Sequence, residues 1–240
     1  MDPILQLSIR QLSGKWRVTL IAVLAALPVA LMLFIKLVAG EEIEFNADFI
    51  NVTLSGMVIG AVLPIVLITL STASLGNEVE NRTLGFLITK PVPRYRIVLP
   101  KVLAAVVIGG SFIVASAVAS TFIGGGSVQA AIAVAAGVAI GVIAYSTILT
   151  WAGLLTSRAI GFAIVYVLLW EGAISSFLGG ARYVSVRAYV LSIMHELDKD
   201  SFAPLSDGVI EWPAAVVGAA AVIVVFFWLT VLRLRRMDVQ

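Results

Sequence analysis

The chain has 240 residues, of which 60% are hydrophobic and only 12% charged, with 16 Lys and Arg against 14 Asp and Glu. Soluble domains run nearer half apolar and a quarter charged, and a soluble fold of this size cannot hide so much apolar surface behind so few charges. Half the chain, cut into the roughly 20-residue lengths that cross a bilayer, makes about six spans. An ordinary soluble enzyme, a disordered tail and a nucleic-acid-binding domain are therefore excluded, since a formal charge of +2 is no basic footprint.

The chain lacks cysteine, which rules out disulfides, thiolate metal sites and a thiol nucleophile. His195 is the single histidine, so one chain cannot build a multi-histidine metal site.

In chain order, residues 1–17 open on Asp2-Pro3, an N-cap followed by proline at the first helical position. An amphipathic helix is expected over 2–16. Ile4, Leu5, Ile9, Leu12 and Trp16 share one face and Gln6, Arg10, Ser13 and Arg17 the other, the pattern of a helix lying in the membrane interface. Six apolar spans follow, at 18–38, 52–75, 97–123, 128–156, 159–178 and 212–232. The first is too long for a signal-peptide core and no A-x-A site follows it, so it reads as a span. Pro28 and Pro64 are expected to kink the first two. Gly124-Gly125-Gly126-Ser127 makes a tight turn between the third and fourth. Gly109, Gly110, Ala115, Gly137 and Gly141 are expected to let helices approach closely.

Charge sets the orientation. Twelve of the 16 basic residues fall in 1–17, 76–101, 156–158 and 233–240, while nine acids, among them Glu41, Glu42, Glu44, Glu196 and Glu211, lie in the alternate segments. The positive-inside rule places both termini in the cytoplasm, and an even number of spans requires the termini to share a side. Two charges lie within spans. Lys36, near the outer end of the first, is expected to snorkel to the headgroups. Glu171 stands roughly 18 Å along the fifth, at 1.5 Å per residue. An intramembrane carboxylate is costly and is by default a functional candidate; Glu171 is therefore the candidate for the transport path, the bland reading being one neutralised by Ser or Thr hydroxyls or by Lys36.

The loop 76–96 is the one sizeable cytoplasmic segment. Glu78, Asn81, Arg82, Gly85 and Thr89 form one polar stripe on a helix over 77–90, with Val79, Leu84, Phe86, Leu87 and Ile88 covering the rest. Glu78 and Arg82 are spaced for a helical ion pair, and Lys90-Pro91 ends the helix. Held at the membrane face, such a helix suits docking into a groove on another protein or rests on headgroups. The external segment 179–211 starts with Gly179-Gly180. Tyr183, Val186, Val190, Ile193 and Leu197 then recur at helical steps, with Arg182, Arg187 and Ser192 elsewhere on the wheel. His195 near its end is read as interfacial rather than as a metal ligand.

The run Glu-x-Glu-Asn-Arg-Thr-Leu from Glu78, then Leu-Ile-Thr-Lys-Pro-Val-Pro-Arg to Arg94, then Lys101 ahead of an apolar span, resembles the permease subunits of ABC-2-type ABC transporters. Glu78, Glu80, Thr83, Leu84, Pro91, Arg94 and Lys101 match that pattern. Arg82 stands where many members have glycine and Pro93 where many have serine, which points to a subgroup. The resemblance implies an all-α integral membrane protein with six transmembrane helices, an N-terminal interfacial helix, a cytoplasmic coupling helix after the second span and an external amphipathic or re-entrant segment before the sixth.

It also implies an exporter in the plasma (cell inner) membrane. A second copy of the permease, or a related one, would pair with it, and two cytoplasmic ATP-binding cassette ATPase subunits would sit beneath. The coupling helix would present Glu78, Val79, Glu80, Arg82, Thr83, Leu84, Phe86 and Leu87 to those subunits. No Gly-x-x-x-x-Gly-Lys-Ser/Thr occurs in the sequence, so ATP and Mg would be bound by the partner ATPase and no cofactor by this chain. Membrane lipid is the other expected partner; nucleic acid is not one. The competing reading, an ion-coupled secondary transporter or channel, calls for several buried ionisable groups or repeated halves, and only Glu171 and Lys36 stand in the spans. A membrane-embedded enzyme would need clustered acids or a histidine in the core.

Overall fold

The computed structural model describes residues 3–39, 45–80, 93–155, 159–174 and 179–237, and every regular element among them is helical. Helix α1 (Pro3–Leu12) is separated from α2 (Lys15–Ala39) at Ser13-Gly14, where glycine is the poorest helix former after proline. The break moves Trp16 off the expected amphipathic helix into the first turn of α2, where it is 81% exposed. The buried stripe of α1 is Ser8 and Leu12, with Leu5 and Ile9 partly covered. It packs along α4 (Tyr95–Ile123), so the helix is docked on the bundle. Lys36 is exposed near the end of α2.

The second span differs from a plain helix. A π-helical segment, Phe49–Val62, runs without interruption into α3 (Leu63–Glu80). Asn46 Oδ1 accepts the Phe49 N–H at 3.0 Å near its start. At its end the Leu63 N–H reaches back five residues to the Val58 carbonyl. Pro64, expected as a mid-span kink, sits at the junction of π and α winding. The span thus begins three residues before, and ends five after, the apolar run 52–75, and its last turn includes Asn77–Glu80.

Helix α5 (Val128–Leu155) is the central element. Its most apolar window is 67% buried, against 22% for α2 and for α8 (Trp212–Arg236). Around it pack α3, α4, α8 and the short helix α7 (Val186–Leu197). Small residues allow this. A Cβ on Gly141 would lie 2.6 Å from Val190, one on Gly137 2.7 Å from Met194, and one on Gly110 3.0 Å from Val142. At Gly153 the obstacle is backbone: a Cβ would meet the Thr72 carbonyl oxygen at 2.6 Å. Backbone cannot step aside as a side chain can. Gly153→Ala is expected to cost about 3 kcal/mol, seen as a lower Tm in detergent. Gly161→Ala, with nothing within 4 Å, should leave Tm unchanged; equal Tm values for the two variants would refute the close-approach account.

Among the described residues, five helical stretches are long and apolar enough to cross a bilayer: Lys15–Val38, Phe49–Gly76, Tyr95–Ile123, Val128–Leu155 and Trp212–Arg236. The fifth of the six expected spans is shorter. Helix α6 (Ala159–Tyr166) passes into a second π segment, Val167–Ile174, and residues 175–178 lie outside the described ones.

The two ends of the bundle are distinct. Leu75, Ile97, Val98, Leu154, Val231 and Leu234 cluster at the end that carries Arg94, Arg96, Arg233, Arg235 and Arg236, here termed the basic end. At the other end Tyr189, Ile193, Ile210, Ala215 and Ala219 join α7 to the start of α8.

Candidate functional site

Three features stand out from the packed apolar bundle: a clamp at the basic end, a carboxylate buried at mid-depth, and an apolar cavity next to it.

The clamp joins α3 to α4. Lys101 is 2% exposed and Glu78 8%. Lys101 Nζ donates to Glu78 Oε1 at 2.5 Å and to the Ser74 carbonyl at 2.8 Å. Both acceptors belong to the last two turns of α3, where a cation is favoured by the helix dipole. Glu78, in the last turn of α3, and Lys101, in the second turn of α4, are 23 residues apart. The pair therefore fixes both feet of the intervening loop. Of the residues expected to face an ATPase, Glu78 is thus engaged inward with Lys101. Val79 and Glu80 complete α3. Arg82, Thr83, Leu84, Phe86 and Leu87, and with them most of the expected helix 77–90, lie outside the described residues.

The second feature is built around Glu171, in the π segment Val167–Ile174 and 3% exposed. Its Oε2 accepts the Ser185 hydroxyl at 2.5 Å and the Arg187 N–H at 3.4 Å. Its Oε1 accepts the Val186 N–H at 3.0 Å and the Tyr166 hydroxyl at 3.4 Å. Ser185 is the N-cap of α7, and its oxygen in turn accepts the Ala188 N–H at 3.2 Å. One carboxylate and one hydroxyl thus satisfy the free amides that begin α7.

Those amides are inside the bundle, not at its surface. Val190 and Met194 press on Gly141 and Gly137 of α5, well along that helix from its start at Val128. At the far end of α7 the Leu197 carbonyl accepts from Gln129 at 3.3 Å. Helix α7 therefore dips from the end opposite the basic one into the bundle, its positive dipole end inward. A buried helix start needs a negative partner, and Glu171 supplies it.

Arg187, expected on the outer face, is placed by this insertion against the second span. Its Nη2 donates to Ser55 Oγ at 2.9 Å, and its guanidinium lies beside Gly60. The start of α7 is consequently held on two sides, by Glu171 of one π segment and by Ser55 of the other. π-Helical turns occur often at functional sites.

The cavity, of about 550 Å³, lies between α5, α6 and α8, walled by Ile148, Trp151, Leu155, Phe162, Tyr166 and Phe226 among others. Trp151 and Phe226 meet edge to face, centroids 5.2 Å apart. Its volume suits a small amphipathic ligand. Tyr166 lines this space and also bonds Glu171, so one polar atom links cavity and carboxylate.

Sequence reasoning singled out Glu171 but not Ser185, Val186 or Tyr166 as its partners. It marked Lys101 without its bond to Glu78. Ser185 ahead of an amphipathic run is an N-cap signal that could have been read. His195 Nδ1 bonds the Phe202 carbonyl at 3.0 Å, and no group of three or more His, Cys, Asp or Glu that could hold a metal occurs among the described residues.

Residues 13–183, more than half of the chain, match the family described as ABC-2 family transporter protein. No curated protein matches the chain. The matched range takes in the clamp and Glu171 and stops just short of α7.

Proposed function

From the premise that this chain belongs to the ABC-2 family of transporter proteins, and is a multi-pass membrane permease, we propose that it is the membrane half of an ATP-driven exporter. Two permease copies, or this one and a related chain, work over two separate ATP-binding cassette ATPase subunits. Those subunits bind ATP and Mg, because this sequence has no phosphate-cradling Gly-x-x-x-x-Gly-Lys-Ser/Thr loop. The basic end, with both chain termini, faces the cytoplasm of a cell whose inner membrane holds the protein. The segment from Ala159 through residue 178 makes a sixth crossing.

The observation that carries this reading is the buried Glu78–Lys101 pair. A loop that receives mechanical work needs rigid feet, and the pair provides them on the two helices that would be moved. Residues 77–90 then present Val79, Glu80, Arg82, Thr83, Leu84, Phe86 and Leu87 as the ATPase contact, with Phe86 and Leu87 the anchors, since buried aromatic and apolar groups dominate interfaces while rim charges steer. The transport path passes Glu171 by way of the cavity at Tyr166, whose apolar walls favour an amphipathic or lipid-like cargo.

The test is a co-purification of the permease with its ATPase, followed by transport in proteoliposomes. Phe86→Pro is expected to reduce bound ATPase at least tenfold, or to leave hydrolysis running without transport. Wild-type binding, hydrolysis and transport in that variant would remove residues 77–90 as the contact. Transport by the permease alone, driven by an ion gradient, would favour the secondary-transporter reading instead.

A further inference from the structure

At the end opposite the basic one, α7, residues 198–211 and the first turn of α8 border an open cavity of about 580 Å³, within the range of small-ligand sites. It is chemically unlike the apolar space near Tyr166. Its lining includes His195, Glu196, Lys199, Glu211 and Trp212, with Ile210 among the apolar members.

The charges do not cancel. Lys199 Nζ pairs with Glu196 Oε1 at 3.0 Å. Glu211 is the N-cap residue of α8, yet its side chain makes no capping bond, and it forms no ion pair among the described residues. A carboxylate at this place is stabilised by the amide dipoles of α8. His195 adds an acceptor. Its Nδ1 meets the Phe202 carbonyl, and a carbonyl only accepts, so Nδ1 carries the hydrogen and Nε2 of the neutral ring keeps its lone pair. Trp212 is half-exposed, and an indole face attracts cations. The Ser192 hydroxyl is occupied, donating to the Ala188 carbonyl at 2.7 Å and accepting from the Ile210 N–H at 3.0 Å.

Depth completes the picture. Trp212 opens an apolar spanning helix, and tryptophan at a span end sits at headgroup level. We propose that this cavity binds the headgroup of a zwitterionic phospholipid bearing a primary ammonium. The ammonium donates to Glu211 and His195 Nε2 against the Trp212 face, and the phosphate turns to Lys199. A primary ammonium is preferred over a quaternary one, which has no N–H to give and would keep only the indole contact.

The test uses the full-length protein in detergent and water-soluble dihexanoyl lipids below their micelle concentration, with retained lipid read by native mass spectrometry. The phosphoethanolamine lipid should be retained at least fivefold more than the phosphoglycerol lipid, with the phosphocholine lipid between. Glu211→Gln and Trp212→Ala should each abolish that preference, and Glu211→Asp should restore it, all at unchanged Tm. Free glycerophosphoethanolamine separates the sources. Competition at equal affinity assigns the site to a soluble headgroup, and failure to compete assigns it to the lipid. Equal retention of the phosphoglycerol lipid, or wild-type preference in Glu211→Gln, would overturn the proposal.

Discussion

Glu78→Ala and Lys101→Ala are each expected to lower Tm by roughly 6–20 °C. Each leaves a charge buried at a site 8% or less exposed, and an orphaned buried charge costs about 3–5 kcal/mol. For a chain of this size each kcal/mol moves Tm by about 2–4 °C. The double replacement Glu78→Leu with Lys101→Met should recover most of the loss, since a buried ion pair and an apolar pair of similar volume are often near equal. Transport should behave differently. The double variant keeps stability, but the loop's feet are no longer pinned by a directional bond to the Ser74 carbonyl, so ATP-driven transport should remain below wild type. Additive losses of stability in the double variant would show that the two residues do not act as a pair.

The second large effect is expected at Glu171. Glu171→Ala deletes the acceptor for the Ser185 hydroxyl and the Val186 and Arg187 amides. Each orphaned buried donor costs about 1–3 kcal/mol, so the first turn of α7 should fray or the helix should leave its seat. The absence of cysteine from the sequence makes a direct readout possible. Ala188→Cys places one thiol on the first turn of α7 at a site 6% exposed. A membrane-impermeant thiol reagent should label it at least tenfold faster when Glu171 is alanine. Glu171→Gln should fall between, because its amide group retains one acceptor oxygen but turns a donor towards donors. Unchanged labelling in the alanine variant would show that α7 is held by packing alone. Transport should fall in step with labelling if Glu171 positions α7, and independently of it if the carboxylate meets cargo in the path.

Much of the architecture was legible because hydropathy is an additive, local property. The long apolar runs at 18–38, 97–123 and 212–232 correspond to helices α2, α4 and α8. Winding was not legible. A span apolar on all sides carries no periodicity to distinguish i→i+4 from i→i+5 bonding, so the π character of Phe49–Val62 and Val167–Ile174 left no trace in the residue pattern. Gly14 could have ended the first helix at Leu12, but the apolar face read straight through it to Trp16. Glu171 was conspicuous because a lone acid in a span is rare. Its partners Ser185, Val186 and Arg187 lie 14 to 16 residues onward, a distance set by how the chain turns back on itself. The same holds for Glu78 and Lys101: helical spacing pairs Glu78 with Arg82, which lies outside the described residues, and the tertiary fold also brings it a lysine from the next helix. The side chains of the expected ATPase contact from Arg82 to Leu87 lie outside the described residues.

The winding of Phe49–Val62 has a mechanical corollary. An i→i+5 coil fits more residues into each turn than an α-helix, so these 14 residues form a compressed spring spliced into the span. Rewound as α, the same stretch would grow longer and rotate, carrying Ser55 away from the Arg187 guanidinium while every peptide group kept a partner. The span holds slack that can be drawn on without severing its ladder, and α7 is tethered to the part that would uncoil.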